Sequence, residues 1–409
     1  MDTDFRSVAN SYRRFASRET AQTPVYREWS EAVASDSRAR ELISSLPEPK
    51  RQPNLVFAAA RLHSGEADDG GWRLDSATGD EFTAYLNEHW LAIAETARTR
   101  ATQTNEPGRC AVHLTELASV TGPVALIEVG HSAGLTLIPD LYDVEYAETA
   151  GPDVGRADSR QPGSHQPDAA RPGISLPVTT QSPPIRLLTS VEGQSPVTLT
   201  CRLDGIPAPE RMPEIAWRGG VDLNPLTLDP ASPEGAEALR WMKALVWPGH
   251  EERAARLADA ARIVTGAQSA GPWVSLRGDL SERLPELIER ARADSPGAHV
   301  VVIHTAVVAY LPEPARFEAL MTRLQAESDA AGQQLTWLSC EGPGVLPGIA
   351  AQLAPGSVEP GEFVLARDGV PVAAVHPWGT SARRLPVKPR QDSMNHAWIE
   401  AGSRGSNPL

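Results

Sequence analysis

The sequence predicts an α/β protein in which a helical N-terminal region precedes a mostly parallel sheet. Three observations carry this expectation. Residues 1–120 repeat apolar side chains at three- and four-residue steps, the helical period. Val124 to Val129 is a continuous apolar run broken only by Glu128, as in a strand buried on both faces. From Glu214 onward short apolar runs alternate with helical stretches, the pattern of βα units.

Taken in order, Phe5 to Phe15, Glu28 to Leu46 and Glu81 to Arg98 read as helices. Two polar connectors interrupt them, Arg51-Gln-Pro-Asn54 and Thr102 to Arg109. In the second, Asn105 is placed to cap the following helix, with Pro107 near its first turn. Loops this dense in Gln, Asn, Glu and Arg also suit ligand contacts, which makes Asn54, Gln103, Asn105, Glu106 and Arg109 candidate substrate-binding residues. The strand from Val124 runs into the turn Gly130 to Gly134, and Pro139 keeps the helix starting at Leu135 short. Residues 141–212 read as an insertion that begins with a strand, Leu141 to Tyr146. Within it, residues 147–184 are dense in Gly, Pro, Asp and Ser and are expected to be mobile. Ile185 to Leu203 holds two alternating runs across Glu-Gly-Gln-Ser-Pro, a β-hairpin signature.

Strands follow at Ile215 to Leu223, Trp273 to Leu276, His299 to Ile303 and Gln334 to Ser339. Helices are expected at Glu234 to Val246, Glu251 to Val264, Ser281 to Ala291 and Pro314 to Ala330. Glu362 to Ala366 and Val370 to Val375 pair across Arg367-Asp-Gly, a hairpin turn. The α/β unit thus spans residues 121–380, after a helical cap over 1–120 and before a polar, disordered tail over 381–409.

Composition narrows the function. The 409 residues are 41% hydrophobic, enough for a sizeable core, and hold no run of eighteen apolar residues that would span a membrane. Three cysteines without C-x-x-C spacing, and a start without an apolar leader, read as a reduced cytoplasmic protein. A formal net charge of -14 disfavours broad electrostatic binding to nucleic acid or anionic lipid and leaves room only for a local basic groove. The histidines show no H-E-x-x-H or comparable spacing, so no metal centre is expected.

The stretch Val124 to Gly134 supports two chemistries. Gly-His-Ser-Ala-Gly is a G-x-S-x-G elbow that would make Ser132 a nucleophile. That reading needs an acid and a histidine later in the chain and an oxyanion hole on an earlier strand. Asp368 and His376 have the right order but stand close together across a hairpin, and His304 is the other candidate base. No earlier strand carries His-Gly, and Glu128 is out of place in an elbow strand.

The alternative is a nucleotide-cofactor turn, Glu-x-Gly-x-x-x-Gly, formed by Glu128, Gly130, Ser132 and Gly134. It requires further polar strand ends, and Asp222, Asp279 and His304 supply them in order. A carboxylate at the second strand end matches the two hydroxyls of a ribose. Plainer explanations stand beside each residue. Asp222 suits turn chemistry, Asp279 suits a helix cap, Ser132 is a small turn residue, and His304 is a core histidine.

This series resembles the class I S-adenosylmethionine-dependent methyltransferases over Val124 to Val375. The resemblance implies a Rossmann-like, methyltransferase-type sheet and S-adenosylmethionine as cofactor, bound by Glu128, Gly130, Ser132, Gly134, Asp222 and Asp279. It implies methyl transfer to a small-molecule or otherwise unidentified acceptor. His304, closing its strand, is the candidate acid–base residue, and Glu341 at the next strand end is a second reaction-side residue. A non-catalytic nucleotide-binding protein is the further alternative. Ser132 stands where the family has its middle glycine, and Pro139 cuts the next helix short. The stretches Arg51-Gln-Pro-Asn-Leu, Gln103-Thr-Asn-Glu-x-Gly-Arg-Cys, Glu128-Val-Gly-x-Ser-Ala-Gly-Leu, Asp222-Leu-Asn-Pro, Leu245-Val-Trp-Pro, His304-Thr-Ala-Val and Glu341-Gly-Pro-Gly carry a second likeness. Through them the whole chain resembles a bacterial family classed as a domain of unknown function (family 2332).

Overall fold

The computed structural model describes residues 2–18, 20, 23–68, 70–103, 105–149 and 184–386. The chain opens with the helices α1 (Asp2–Arg18), α2 (Pro24–Ser35) and α3 (Ser37–Ser44). The single helix expected over Glu28 to Leu46 is two, because Asp36 leaves the helical path and caps α3 by accepting Ala39 N at 2.8 Å. Next come α4 (Pro53–Ser64) and α5 (Gly79–Thr99), the latter started by a capping box of Thr78 and Glu81. Their apolar faces converge on Phe57, ringed by Tyr12, Tyr26 and Trp29, while Trp29 stacks on Phe82 at 4.3 Å between centroids.

After α6 (Arg109–Leu117) come β1 (Pro123–Val129), β2 (Asp143–Thr149), β3 (Ile185–Leu188), β4 (Thr198–Asp204) and β5 (Glu214–Asp222). They are followed by α7 (Pro233–Leu245), α8 (Glu251–Ala270), β6 (Trp273–Arg277), α9 (Leu280–Asp294) and β7 (His299–Thr305). The chain continues through α10 (Pro314–Ala330), β8 (Leu335–Glu341), α11 (Pro347–Ala350), β9 (Phe363–Arg367), β10 (Val370–Val375) and β11 (Ser381–Arg384). Among the described residues, eleven strands form one sheet in the order β3-β2-β4-β11-β10-β9-β8-β7-β1-β5-β6. The parallel strands β6-β5-β1-β7-β8 therefore lie third, second, first, fourth, fifth by chain order, the arrangement of a doubly wound α/β sheet. Strand order reverses between β1 and β7, both buried on the two faces that helices cover.

Three further expectations need correction. The hairpin over Ile185 to Leu203 does not form, because β2 lies between its two strands, antiparallel to β3 and parallel to β4. Asp143 explains the arrangement: its carboxylate accepts Ser190 N at 2.8 Å and Ser195 N at 3.1 Å, drawing the connection across the start of β2. No helix follows Gly134, because Leu135 N is taken by Asn105 Oδ1 at 2.6 Å and Pro139 then supports only a 3-10 turn, Pro139–Leu141. The tail expected from residue 381 begins instead with β11, which pairs with β10 and β4. Residues 150–183 and 387–409, where the expected mobile stretch and most of the expected tail fall, lie outside the described residues.

Arg61 on α4 ties the N-terminal helices to the α/β part. Its guanidinium makes a fork with Asp75 at 2.7 and 2.9 Å and donates to Ala244 O at 2.7 Å and to Val246 O, the terminal carbonyls of α7. A buried cation so saturated stabilises mainly by what its loss would strand. Arg61→Ala should lower unfolding stability by about 3–5 kcal/mol in urea titration; a change below about 1 kcal/mol would show the joint is held elsewhere.

Candidate functional site

A cavity of about 350 Å³ opens at the C-terminal ends of β1, β5 and β7, beneath the segment before α4 and the loop before α6. Open α/β sheets bind their ligands at this place, where strand order reverses and side chains fan apart. Of the expected site residues, Glu128, Gly130, Ser132, Asp222, Gln103, Asn105 and Arg109 line it.

Glu128 is the penultimate residue of β1 and is 4% exposed. Its Oε1 accepts the hydroxyl of Thr136, and its Oε2 is buried with no hydrogen-bond partner among the described residues. Burial raises its pKa to about 8, against the Thr136 hydrogen bond and the Arg109 charge, which lower it; Asp222 adds to the rise. At neutral pH the side chain is thus held largely as the neutral acid, and a cation brought beside it would favour the ionised form.

The turn after β1 is fastened from both sides. Asp222, ending β5, accepts Ser132 N on Oδ2 at 2.9 Å, and Asn224 N and Gln103 Nε2 on Oδ1 at 2.7 and 3.2 Å. Asn105 does not cap α6, whose N-cap is Gly108; it spans the turn, donating to His131 O at 3.1 Å and accepting Leu135 N. Gly130 has φ +77, and a Cβ there would lie 2.5 Å from Val307 Cγ2. Ser132 holds φ 50, unusual for a residue with a side chain, and its buried Oγ has no partner among the described residues.

The other expected residues lie off the cavity. Gly134 packs against Trp273, whose ring a Cβ would meet at 2.5 Å. Asp279 is an exposed cap of α9, accepting Ser281 N and Glu282 N. Asn54 sits in the first turn of α4. Glu106 is buried in an ion pair with Arg253 of α8 at 2.6 Å. His304 is fully buried: its Nδ1 meets Glu341 Oε1 at 2.8 Å and its Nε2 accepts Trp337 Nε1 at 2.9 Å. With both ring nitrogens engaged it has no lone pair for a substrate proton. Glu341 also accepts Val307 N and Val308 N at 3.0 Å, so it shapes the turn after β7.

Sequence reasoning missed several cavity residues. Thr305, ending β7, and Ala306 after it, at φ 54, form one wall, and Tyr310 and Leu223 stand exposed at the mouth. Lys50 reaches in from before α4, held by Arg100 O at 2.5 Å. Thr305 was hidden by its neighbour: a histidine at a strand end draws attention from the threonine after it.

Glu128 sets a pH dependence. The folded protein holds its proton more tightly than the unfolded chain, so the native state loses stability as pH rises from 4.5 to about 8. Glu128→Gln should therefore melt several degrees above the parent near pH 9, with the gap closing toward pH 5, as followed by thermal unfolding. An equal gap at both pH values would place the Glu128 carboxyl in water.

No curated protein and no solved structure matches the chain. A family model described as an uncharacterized protein conserved in bacteria (DUF2332) matches residues 9–382. The chain belongs to that family.

Proposed function

We propose that the protein is an S-adenosylmethionine-dependent methyltransferase acting on a small-molecule acceptor. One observation carries the reading: Glu128, a buried carboxyl with one oxygen unpartnered among the described residues, lines a cavity at the reversal point of the sheet, with Arg109 in the same wall. A buried carboxyl that a cation would ionise, beside a guanidinium, fits a ligand with both signs of charge, such as the methionyl end of this cofactor. Tyr310 and Leu223 at the mouth offer apolar surface on which a purine can stack.

S-adenosylmethionine supplies an electrophilic methyl group when bound. The part left to the chain is to bind, orient and keep water out. His304 takes no part in this account, since both its nitrogens are engaged. Asp222 holds three donors already, so on this reading it shapes the turn and has room for one ribose hydroxyl at most. Catalysis then rests on holding the acceptor in line with the methyl group.

A second reading has one observation in its favour, the positive φ and unpartnered Oγ of Ser132, as at a nucleophile elbow. No histidine meets that hydroxyl among the described residues; His131 Nε2 is turned to Ser275 Oγ at 2.8 Å. Labelling by a fluorophosphonate that is lost in Ser132→Ala would establish the hydrolase.

Calorimetric titration tests the cofactor reading. S-adenosylmethionine and S-adenosylhomocysteine should both bind the parent, and Glu128→Gln should weaken S-adenosylmethionine by about tenfold or more, the loss of one charge-assisted contact. Absence of heat and of competition at millimolar ligand would refute it.

A further inference from the structure

Two buried groups that the cofactor reading does not use converge on one hydroxyl in the cavity wall. Thr305 is the last residue of β7 and lines the cavity. Its Oγ1 lies 2.8 Å from Nε2 of His113 on α6, and the Cys340 thiol lies beside it across the β7–β8 pair. His113 is 1% exposed, and its Nδ1 is buried with no hydrogen-bond partner among the described residues. Burial first, then the neighbouring His304 and Arg109, push its pKa down to about 3. The ring is therefore neutral and carries a single N–H.

That proton has two positions open to it. On Nδ1 it would be a buried donor without an acceptor, a rarity in folded proteins. On Nε2 it is donated to Thr305 Oγ1, and Nδ1 keeps only an unshared lone pair. The Cys340 thiol, pushed up to about 12 by burial, stays protonated beside the same hydroxyl and is at most a weak acceptor for it. With the His113 N–H on its oxygen, the Thr305 hydroxyl has its own proton left to give.

We infer that His113 positions Thr305 as a hydrogen-bond donor into the cavity, where the hydroxyl takes a carboxylate or carbonyl oxygen of the bound ligand. Arg109 stands one helical turn before His113 on α6 and also lines the cavity, which favours an anionic oxygen. Its charge bears on His113, Glu128 and Cys340 alike, so it stands among them. The wall then offers donors at Thr305 and Arg109 and, at Glu128, a carboxyl that a ligand cation would ionise. Only the identity of the ligand rests on the cofactor reading; the direction of the hydroxyl belongs to the chain alone.

Long-range proton–nitrogen spectra of histidine-labelled protein test the tautomer without any ligand. His113 should show the Nε2–H form, unchanged from about pH 5 to about pH 9. An Nδ1–H form, or a ring that titrates in the ordinary histidine range, overturns the inference. S-adenosylhomocysteine calorimetry gives the second arm. Thr305→Val and His113→Phe should each weaken binding about tenfold, the loss of one hydrogen bond. Thr305→Ser should retain it, as should His113→Gln, whose amide N–H replaces Nε2–H. Parent-like binding by Thr305→Val overturns the inference. If the parent itself does not bind, the cofactor reading fails and the tautomer alone decides the role of His113.

Discussion

Glu128 stands near the end of a strand buried on both faces, with Thr136 on one oxygen and no described partner on the other. An ionised carboxylate in such a place is costly, and the side chain answers by keeping its proton. The sheet leaves it little alternative. Its neighbours in register are Gly220 on β5 and Ile303 on β7, neither of which brings a polar side chain to it. The strand order that puts β1 in the middle therefore creates both the cavity and its unmet electrostatic demand. Arg109 partly answers that demand from α6.

The surrounding parts keep this arrangement rigid. The turn after β1 is gripped by Asp222 from β5 and by Asn105 from the loop before α6. That loop is itself pinned to the turn between β10 and β11. Gly108 and Gly379 touch backbone to backbone, so closely that a Cβ on Gly379 would lie 2.0 Å from Gly108 O. Arg109 Nε donates to Pro377 O at 3.1 Å, and Arg253 lies 4.1 Å over Trp378 while pairing with Glu106. A cavity wall drawn from the N-terminal helical region and the sheet, and braced from behind by the turn between β10 and β11, is preorganised, so binding need not order it.

Much of this was legible in the sequence because strong periodicity and strand-end residues leave marks. The strands from Val124 and Glu214, the helix Pro314 to Ala330 and the hairpin across Arg367-Asp-Gly stand where their patterns placed them. The polar connector before α6 announced its contribution to the cavity through Gln103, Asn105 and Arg109. Non-local pairing was not legible. Nothing in two alternating runs says that a third strand will part them, and the deciding bonds run from Asp143 to the backbone of Ser190 and Ser195. His304 looked reactive because a strand-end histidine is visible, whereas Trp337 and Glu341, which occupy it, come from the neighbouring strand. Asn105 looked like a cap because its true partners belong to another segment. His113 was silent for the same reason: its partner Thr305 is brought to it only by the fold.

The carboxyl titration of Glu128, followed by carbon NMR in protein labelled at its glutamates and assigned with Glu128→Gln, tests the central claim most directly. Without ligand the account predicts a value raised to about 8. Saturation with S-adenosylmethionine should bring it down toward the ordinary carboxyl range, because a cation then faces the bare oxygen. A Glu128 that titrates as an ordinary carboxyl without ligand, or one that S-adenosylmethionine leaves unmoved, would contradict it.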